Sequence, residues 1–256
     1  FCMLEIHQIP ILKDNYVYLV IDKNSLKSAC IDPGAFDPVD DTLEKLHLNL
    51  DYIFSTHHHN DHIGANLNLK EKYKCKIVGN RNDKDRIPGI DIFLKDGDFF
   101  KLGESECKVL EVSGHTKGHI AFYFRGDDLL FCGDTLFSLG CGRLFEGKPE
   151  DMVESLLKIR ALPDNTKIFC GHEYTLSNAM FAEKLEPGNK LLKIKIEEIK
   201  KKREQNKSTI PSLLGEEKKL NPFLRFDDNI FLKNIGLENK TKTESFKILR
   251  QMKDEF

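Results

Sequence analysis

The amino-acid sequence predicts an α+β protein: a pair of strand-rich layers with helices outside, followed by a helical C-terminal segment. Three observations lead there. Short apolar segments bounded by turn signals dominate the first 133 residues, without the regular βαβ alternation of a doubly wound sheet. Three such segments run straight into polar residues: 109–112 into Ser113-Gly114-His115, 129–132 into Gly133-Asp134, and 167–170 into Gly171-His172. Beyond Tyr174 the strand signal fades and helical spacing takes over, so two domains are expected, 1–173 and 174–256.

Taken in order, residues 4–10 and 16–22 read as strands joined by the polar turn Lys13-Asp14-Asn15, and 28–31 as a third ended by Asp32-Pro33-Gly34. Residues 38–48 have helical spacing, with Val39, Leu43, Leu46 and Leu50 on one side. A strand over 52–55 delivers the run Ser55-Thr56-His57-His58-His59-Asn60-Asp61-His62, and a helix opening at Ile63-Gly64-Ala65-Asn66-Leu67 extends to Tyr73. Residues 76–78 form a further strand. From there to Gly133 the chain is strand-rich, with turns at Pro88-Gly89, Asp96-Gly97-Asp98, Leu102-Gly103 and Gly126-Asp127-Asp128. Residues 149–160 fit a helix with proline in its first turn. Residues 174–185, 189–206 and 243–254 look helical, separated by loops containing Pro and Gly.

The 256 residues, 40% hydrophobic and 31% charged, match a soluble globular protein with a sizeable core. No apolar run approaches the roughly 18 residues a membrane helix needs. Phe1-Cys2-Met3-Leu4-Glu5 is neither a signal peptide nor a transit sequence. The seven cysteines, at 2, 30, 75, 107, 132, 141 and 170, are odd in number and hold no C-x-x-C pair. Free thiols in a reducing cytoplasm are therefore expected, in a monomer. The net charge of −2 hides an asymmetry: residues 187–256 carry 17 Lys and Arg against 11 Asp and Glu, a surplus of +6, which leaves −8 on 1–186. A basic segment beside an acidic body can attract a small anion, or simply be the solvated face of helices.

Four of the nine histidines fall within six residues of that central run, with Asp61 among them. Such a cluster between two rigid elements suits divalent transition metals. The polar residues at the strand ends extend the set to His57, His59, Asp61, His62, His115, Asp134 and His172. Five imidazoles and two carboxylates exceed what one zinc requires and match two ions sharing a carboxylate. His7 and His47 carry no signal, and His58 is expected to face solvent or a hydrogen-bond partner.

The series T-H-x-H-x-D-H followed by a distant His, Asp and His resembles the ligand series of the metallo-β-lactamase fold. Lys13-Asp14-Asn15-Tyr16, Gly133-Asp134-Thr135-Leu136-Phe137, Gly140-Cys141-Gly142-Arg143, Gly171-His172-Glu173-Tyr174 and Asn221-Pro222-Phe223 further resemble the glyoxalase II (hydroxyacylglutathione hydrolase) family, over essentially the whole chain. The resemblance implies a four-layer αβ/βα sandwich with a C-terminal helical domain that binds glutathione. It implies that His57, His59 and His115 hold one metal ion, that Asp61, His62 and His172 hold a second, and that Asp134 bridges them. Zinc is expected first, and iron and manganese accept the same donors. His119 is expected behind the ligands, and Asp32 either orients a ligand histidine or is a simple turn residue.

The resemblance also implies hydrolysis of S-2-hydroxyacylglutathione thioesters, such as S-lactoylglutathione, by a hydroxide between the ions, with Asp61 and Asp134 in the catalytic set. A thiol of ordinary pKa near 8.5 leaves as thiolate without a dedicated general acid. Arg143, Tyr174, Arg250 and Lys253 match positions that contact the tripeptide. Arg250 and Lys253, three residues apart, would share a helix face suited to its glycyl carboxylate. Three departures stand out: Asn60 where an aromatic is frequent, with looser packing beneath the metal loop expected; Arg143 for a common lysine; and Phe145 for a tyrosine that binds substrate. Two alternatives remain. One is a persulfide dioxygenase of the same fold with a single iron. The other is a nucleic-acid-binding protein, prompted by Lys193, Lys195 and 200–203. Against the latter, those cations alternate with Leu192, Ile194, Ile196 and Ile199 as one polar face over one apolar face, and no aromatic-rich platform accompanies them.

Overall fold

The computed structural model of the chain describes residues 3–256, so Cys2 and its expected thiol lie outside the described residues. The chain forms two compact units. The first runs to Glu111 and resumes over Gly118–Gly133; the second comprises Val112–Lys117 and Asp134–Phe256.

The first unit contains ten strands: β1 (Leu4–Ile11), β2 (Asn15–Asp22), β3 (Ser28–Ile31), β4 (Tyr52–Phe54), β5 (Lys76–Asn80), β6 (Ile90–Leu94), β7 (Phe99–Leu102), β8 (Ser105–Glu111), β9 (Ile120–Phe124) and β10 (Leu129–Gly133). Its helices are α1 (Asp37–Leu46), α2 (Asn60–Ile63) and α3 (Asn66–Tyr73). Strands β1 to β6 pair in chain order. The first two pairings are antiparallel and the last three parallel. A second sheet has the order β10-β9-β8-β7, antiparallel throughout.

Side-chain alternation sorts the first sheet's faces. Val17, Leu19, Ile21 and Ile53 join Val39, Leu43 and Leu69 of the helices in one buried cluster. The intervening Tyr18 and Phe54 turn the other way, onto Phe131 and Phe122 of the second sheet at ring separations of 5.5 and 4.7 Å. The unit is thus helices on sheet on sheet, and its strands read as continuous apolar runs because both faces of the middle sheet are covered.

Two details differ from the expected elements. Helix α1 stops at Leu46 because His47 takes a left-handed conformation (φ 53°) and its N–H closes back on Glu44 and Leu43. The single helix expected after the histidine run is two, α2 and α3, interrupted at Gly64-Ala65, where the Ala65 N–H donates to the Pro33 carbonyl instead.

The second unit holds the hairpin β11 (Leu136–Phe137) and β12 (Gly140–Cys141), helix α4 (Pro149–Arg160), the pair β13 (Lys167–Cys170) and β14 (Ser212–Leu213), and helices α5 (Thr175–Leu185), α6 (Lys190–Glu204), α7 (Leu214–Leu220), α8 (Asn229–Asn234) and α9 (Lys242–Asp254). Both α7 and α8 go beyond the expected helices; at seven and six residues they are too short for a periodic signal. Leu192, Ile196 and Ile199 of α6 pack on Ala179 and Ala182 of α5, whereas Ile194, expected on the same apolar face, is 60% exposed. On α9, the box Thr241-x-x-Glu244 satisfies the first orphan N–H groups reciprocally.

A buried carboxylate organises this unit. Glu217 of α7 accepts from the Ser138 hydroxyl (2.9 Å), the Leu139 N–H (2.8 Å) and Asn221 Nδ2 (3.0 Å), so it holds the turn of the β11–β12 hairpin. The same Asn221 amide donates to the carbonyls of Phe137 and Gly140, and Asn178 Nδ2 donates to that of Ser138. Burial pushes the Glu217 carboxyl above its usual range. Replacing Glu217 with Ala strands these buried donors. A stability loss of about 2–4 kcal/mol is expected in urea unfolding, with a smaller loss for Glu217→Gln, which keeps an acceptor oxygen.

Candidate metal centre

In the first unit the loop after β4 carries the histidine run. It is pinned on both sides: Ser55 N–H donates to Val78 and Ile120 N–H donates to the Thr56 carbonyl. His57 is fully buried, and His62 and Asp32 nearly so. Asp32 is the hub. Its carboxylate accepts from the Thr56 N–H (2.8 Å) and the Thr56 hydroxyl (2.6 Å), and its Oδ2 lies 3.0 Å from His62 Nδ1.

These bonds decide the ring tautomers. The Thr56 hydroxyl spends its proton on Asp32, so its oxygen accepts from His57 Nδ1 at 3.0 Å. His62 Nδ1 likewise donates to Asp32. Both rings therefore present an Nε2 lone pair on the opposite side. His57 Nε2 faces His59 Nδ1 at 3.1 Å, and His62 Nε2 faces Asp61 Oδ2 at 3.3 Å. Donor atoms of Asp32, His57 and His62 fall within 4.8 Å of one another, but Asp32 meets the proton-bearing nitrogen of His62, so it orients the ring and is not a co-ligand.

Asp61 is positioned by residues to which the sequence assigned no role. Asn15 Nδ2 donates to Asp61 Oδ2 (2.9 Å) and, more distantly, to its carbonyl (3.4 Å). A Cβ at residue 34 would sit 1.9 Å from that carbonyl oxygen, so only glycine lets Asp61 approach. His119 stacks on His57 with ring centroids 4.6 Å apart, behind the loop as expected. His58 turns outward to Arg86, with its Nε2 3.3 Å from Nη1. Asn60 is exposed at the start of α2.

The second unit gathers the remaining candidates. His115 Nδ1 donates to the Arg143 carbonyl at 2.8 Å, which again leaves Nε2 as the lone-pair nitrogen. That Nε2 lies 3.5 Å from Asp134 Oδ2, and His172 Nε2 lies 3.2 Å from the same oxygen. A Cβ at Gly142 would meet the Asp134 carbonyl at 1.9 Å, so the return past Asp134 demands glycine.

The donor set fits a divalent metal. Of the contacts of 3.1, 3.3, 3.5 and 3.2 Å between facing donors, the 3.3 and 3.5 Å ones are long for hydrogen bonds. The four bracket the edge of about 3.3 Å that a tetrahedron of roughly 2.0–2.1 Å bonds to nitrogen and oxygen would have.

The expected substrate residues lie in the same unit. Tyr174 stacks on His172 almost parallel, 5° between planes and 4.6 Å between centroids, and stays 37% exposed. Phe145 is 64% exposed beside the His115 ring. Arg250 is 6% exposed; its Nη1 donates to the Cys141 carbonyl (2.8 Å) and its guanidinium lies over Phe223. Lys253 leans over Phe181 and Phe256, with Nζ 3.3 Å from Ser177 Oγ. Partial burial, then the charges of Arg250 and Arg143, lowers the Lys253 ammonium pKa below its usual value.

Residues 14–172 match the family model described as Metallo-beta-lactamase superfamily, and the chain belongs to that superfamily. Residues 173–256 match the model for the hydroxyacylglutathione hydrolase C-terminus. A hydroxyacylglutathione hydrolase from Methylococcus capsulatus is 49% identical over 254 residues, covering 99% of each chain. The chain is a member of the hydroxyacylglutathione hydrolase family. Among solved structures, ETHE1 from Myxococcus xanthus superposes with a TM-score of 0.70 at 25% identity, over 96% of this chain and 90% of that one. TTHA1623, solved in a di-iron-bound form, superposes with a TM-score of 0.62 at 24% identity, over 86% of this chain and 100% of that one.

Because Asp32 sets two tautomers at once, Asp32→Asn is expected to weaken metal binding about 10- to 100-fold in a chelator competition. The side chain tolerates the left-handed backbone there (φ 54°), so the apoprotein should remain folded by circular dichroism. Unchanged metal affinity would count against the tautomer argument.

Proposed function

We infer that the chain hydrolyses S-2-hydroxyacylglutathione thioesters, releasing glutathione and a 2-hydroxy acid. The observation that carries this reading is the hydroxyacylglutathione hydrolase C-terminus match over residues 173–256, the segment that bears Arg250 and Lys253. Relatives 45–49% identical over nearly their full length carry the hydrolase name, which favours it over the single-iron dioxygenase. S-Lactoylglutathione is the proposed substrate, which would make this the second step in detoxifying methylglyoxal. The match ranges also support 14–172 as the catalytic part and 173–256 as the substrate-binding part, close to the boundary proposed at residue 173.

We propose that His57, His59 and His115 hold one divalent ion, Asp61, His62 and His172 a second, and Asp134 both. All seven residues lie within the stretch 14–172 that matches the metallo-beta-lactamase superfamily, which supports this reading. Zinc is the proposed metal, with iron or manganese accommodated by the same donors. A bound pair of such ions lowers the pKa of water towards neutrality and polarises a carbonyl oxygen.

The chain's own residues have three tasks. Asp32, Thr56 and the Arg143 carbonyl keep protons on the outer imidazole nitrogens, so the inner nitrogens remain basic. Arg143, Arg250 and Lys253 supply positive charge for the carboxylates of glutathione. Tyr174, half-open and braced against His172, offers an aromatic face and a hydroxyl to the acyl-sulfur end. No acid is required at the sulfur, because a thiolate of ordinary pKa leaves unaided.

The six described cysteines are buried thiols, which suits the proposed reducing cytoplasm, and a monomer is proposed. Among the described residues no helix is long and apolar enough to cross a membrane.

His59→Ala and Asp134→Ala are each expected to lower thioester turnover at least about 100-fold. Spectrophotometric loss of the thioester checks this. Turnover at the wild-type rate, or oxygen uptake with glutathione persulfide in place of thioester hydrolysis, would overturn the reading.

A further inference from the structure

The last residue of α9 sits against its local preferences. Asp254 lies at the C-terminal, electronegative end of the helix, where a carboxylate is disfavoured. Its partner four residues back is Arg250, the less favourable order for an i,i+4 ion pair. What holds it there is a pair of guanidiniums. Asp254 Oδ1 lies 3.0 Å from Arg250 Nη2 and 3.6 Å from Arg143 Nε, so one oxygen serves both cations.

Beside that oxygen Arg143, Arg250 and Lys253 gather three positive charges. Arg143 and Arg250 each depress the Lys253 ammonium, whereas Asp254 opposes them. The Arg250 Nε is buried without a hydrogen-bond partner, so the guanidinium keeps unused donor capacity. The Asp254 side chain is 43% exposed and Arg143 is 66% exposed, so both can move away without unpacking the core.

We propose that Asp254 is an internal stand-in for the substrate carboxylate: it occupies the anion position between Arg143 and Arg250 and swings out to solvent when a glutathione carboxylate enters. This rests on the glutathione reading of the site above. Asp254 thereby sets affinity for carboxylate-bearing ligands. Before binding it offsets the mutual repulsion of three cations, and it must be displaced for the substrate to pair with them. The ion pair it forms is partly solvated, so the opposing effect is modest.

The test compares wild type with Asp254→Asn and Asp254→Ser. Glutathione binding is measured by calorimetry, and KM and kcat for S-lactoylglutathione by steady-state assay. Glutathione amidated at glycine serves as the ligand lacking that carboxylate. Removing the charge is expected to tighten glutathione binding and lower KM about three- to fivefold, the worth of a partly exposed ion pair. Binding of the amide should change far less. A residue that merely aims Arg250 would give the opposite sign, so a raised KM, or glutathione affinity unchanged in both variants, overturns the proposal. If wild type binds glutathione but does not hydrolyse the thioester, the functional reading falls while the stand-in is still decided by the binding data.

Discussion

A buried imidazole can offer a lone pair to a cation only if its other nitrogen has an oxygen to receive its proton. That constraint shapes both units of this chain. Asp32 is bent into a left-handed turn between β3 and α1, where it accepts hydrogen bonds from the Thr56 hydroxyl and His62 Nδ1. The Thr56 oxygen in turn accepts from His57 Nδ1, and the carbonyl of Arg143 accepts from His115 Nδ1. Gly34 and Gly142 are needed because Asp61 and Asp134 must pass within contact of backbone that would collide with a Cβ. The candidate metal ligands are therefore the visible part of a larger arrangement of hydrogen-bond acceptors and close approaches.

The same economy links chemistry to recognition in the second unit. The β11–β12 hairpin leaves Asp134 and leads to Arg143, and four side chains from later in the chain hold its backbone. Asn178, Glu217, Asn221 and Arg250 each bond to a group between Phe137 and Cys141. Arg250 is therefore a buried structural donor as much as a surface cation. Lys253 lies half-buried over two phenylalanine rings, and Arg143 is exposed. A hairpin fixed from behind keeps the backbone at Asp134 and at Arg143 in a constant relation.

Much of this could be read from the sequence. Strands such as β2, β3 and β10 announce themselves because they are apolar runs closed by turn residues, and polar residues at strand ends mark the site. The Thr-His-x-His-x-Asp-His run and its distant partners are distinctive because metal chemistry tolerates few substitutes. Other features carry no periodic or compositional mark. Asn15 looks like a turn residue until its amide is seen on Asp61. Glu217 looks like one more charge in a polar stretch, yet it is buried and fully engaged. Helices α7 and α8 are too short to repeat, and Ile194 carries a core residue's chemistry while facing solvent. Asp254 reads as an ordinary terminal acid until two guanidiniums are found on one of its oxygens.

The proposal that His57, His59, Asp61, His62, His115, Asp134 and His172 hold two ions, on which hydrolysis depends, can be tested by metal counting. Metal content per chain, measured on purified protein and followed through chelation and stepwise zinc return with thioester hydrolysis assayed at each step, tests it most directly. Two equivalents are expected, with activity abolished by chelation and fully recovered only as the second equivalent binds. Full activity in metal-free protein, or saturation of both binding and activity at one equivalent, would contradict it.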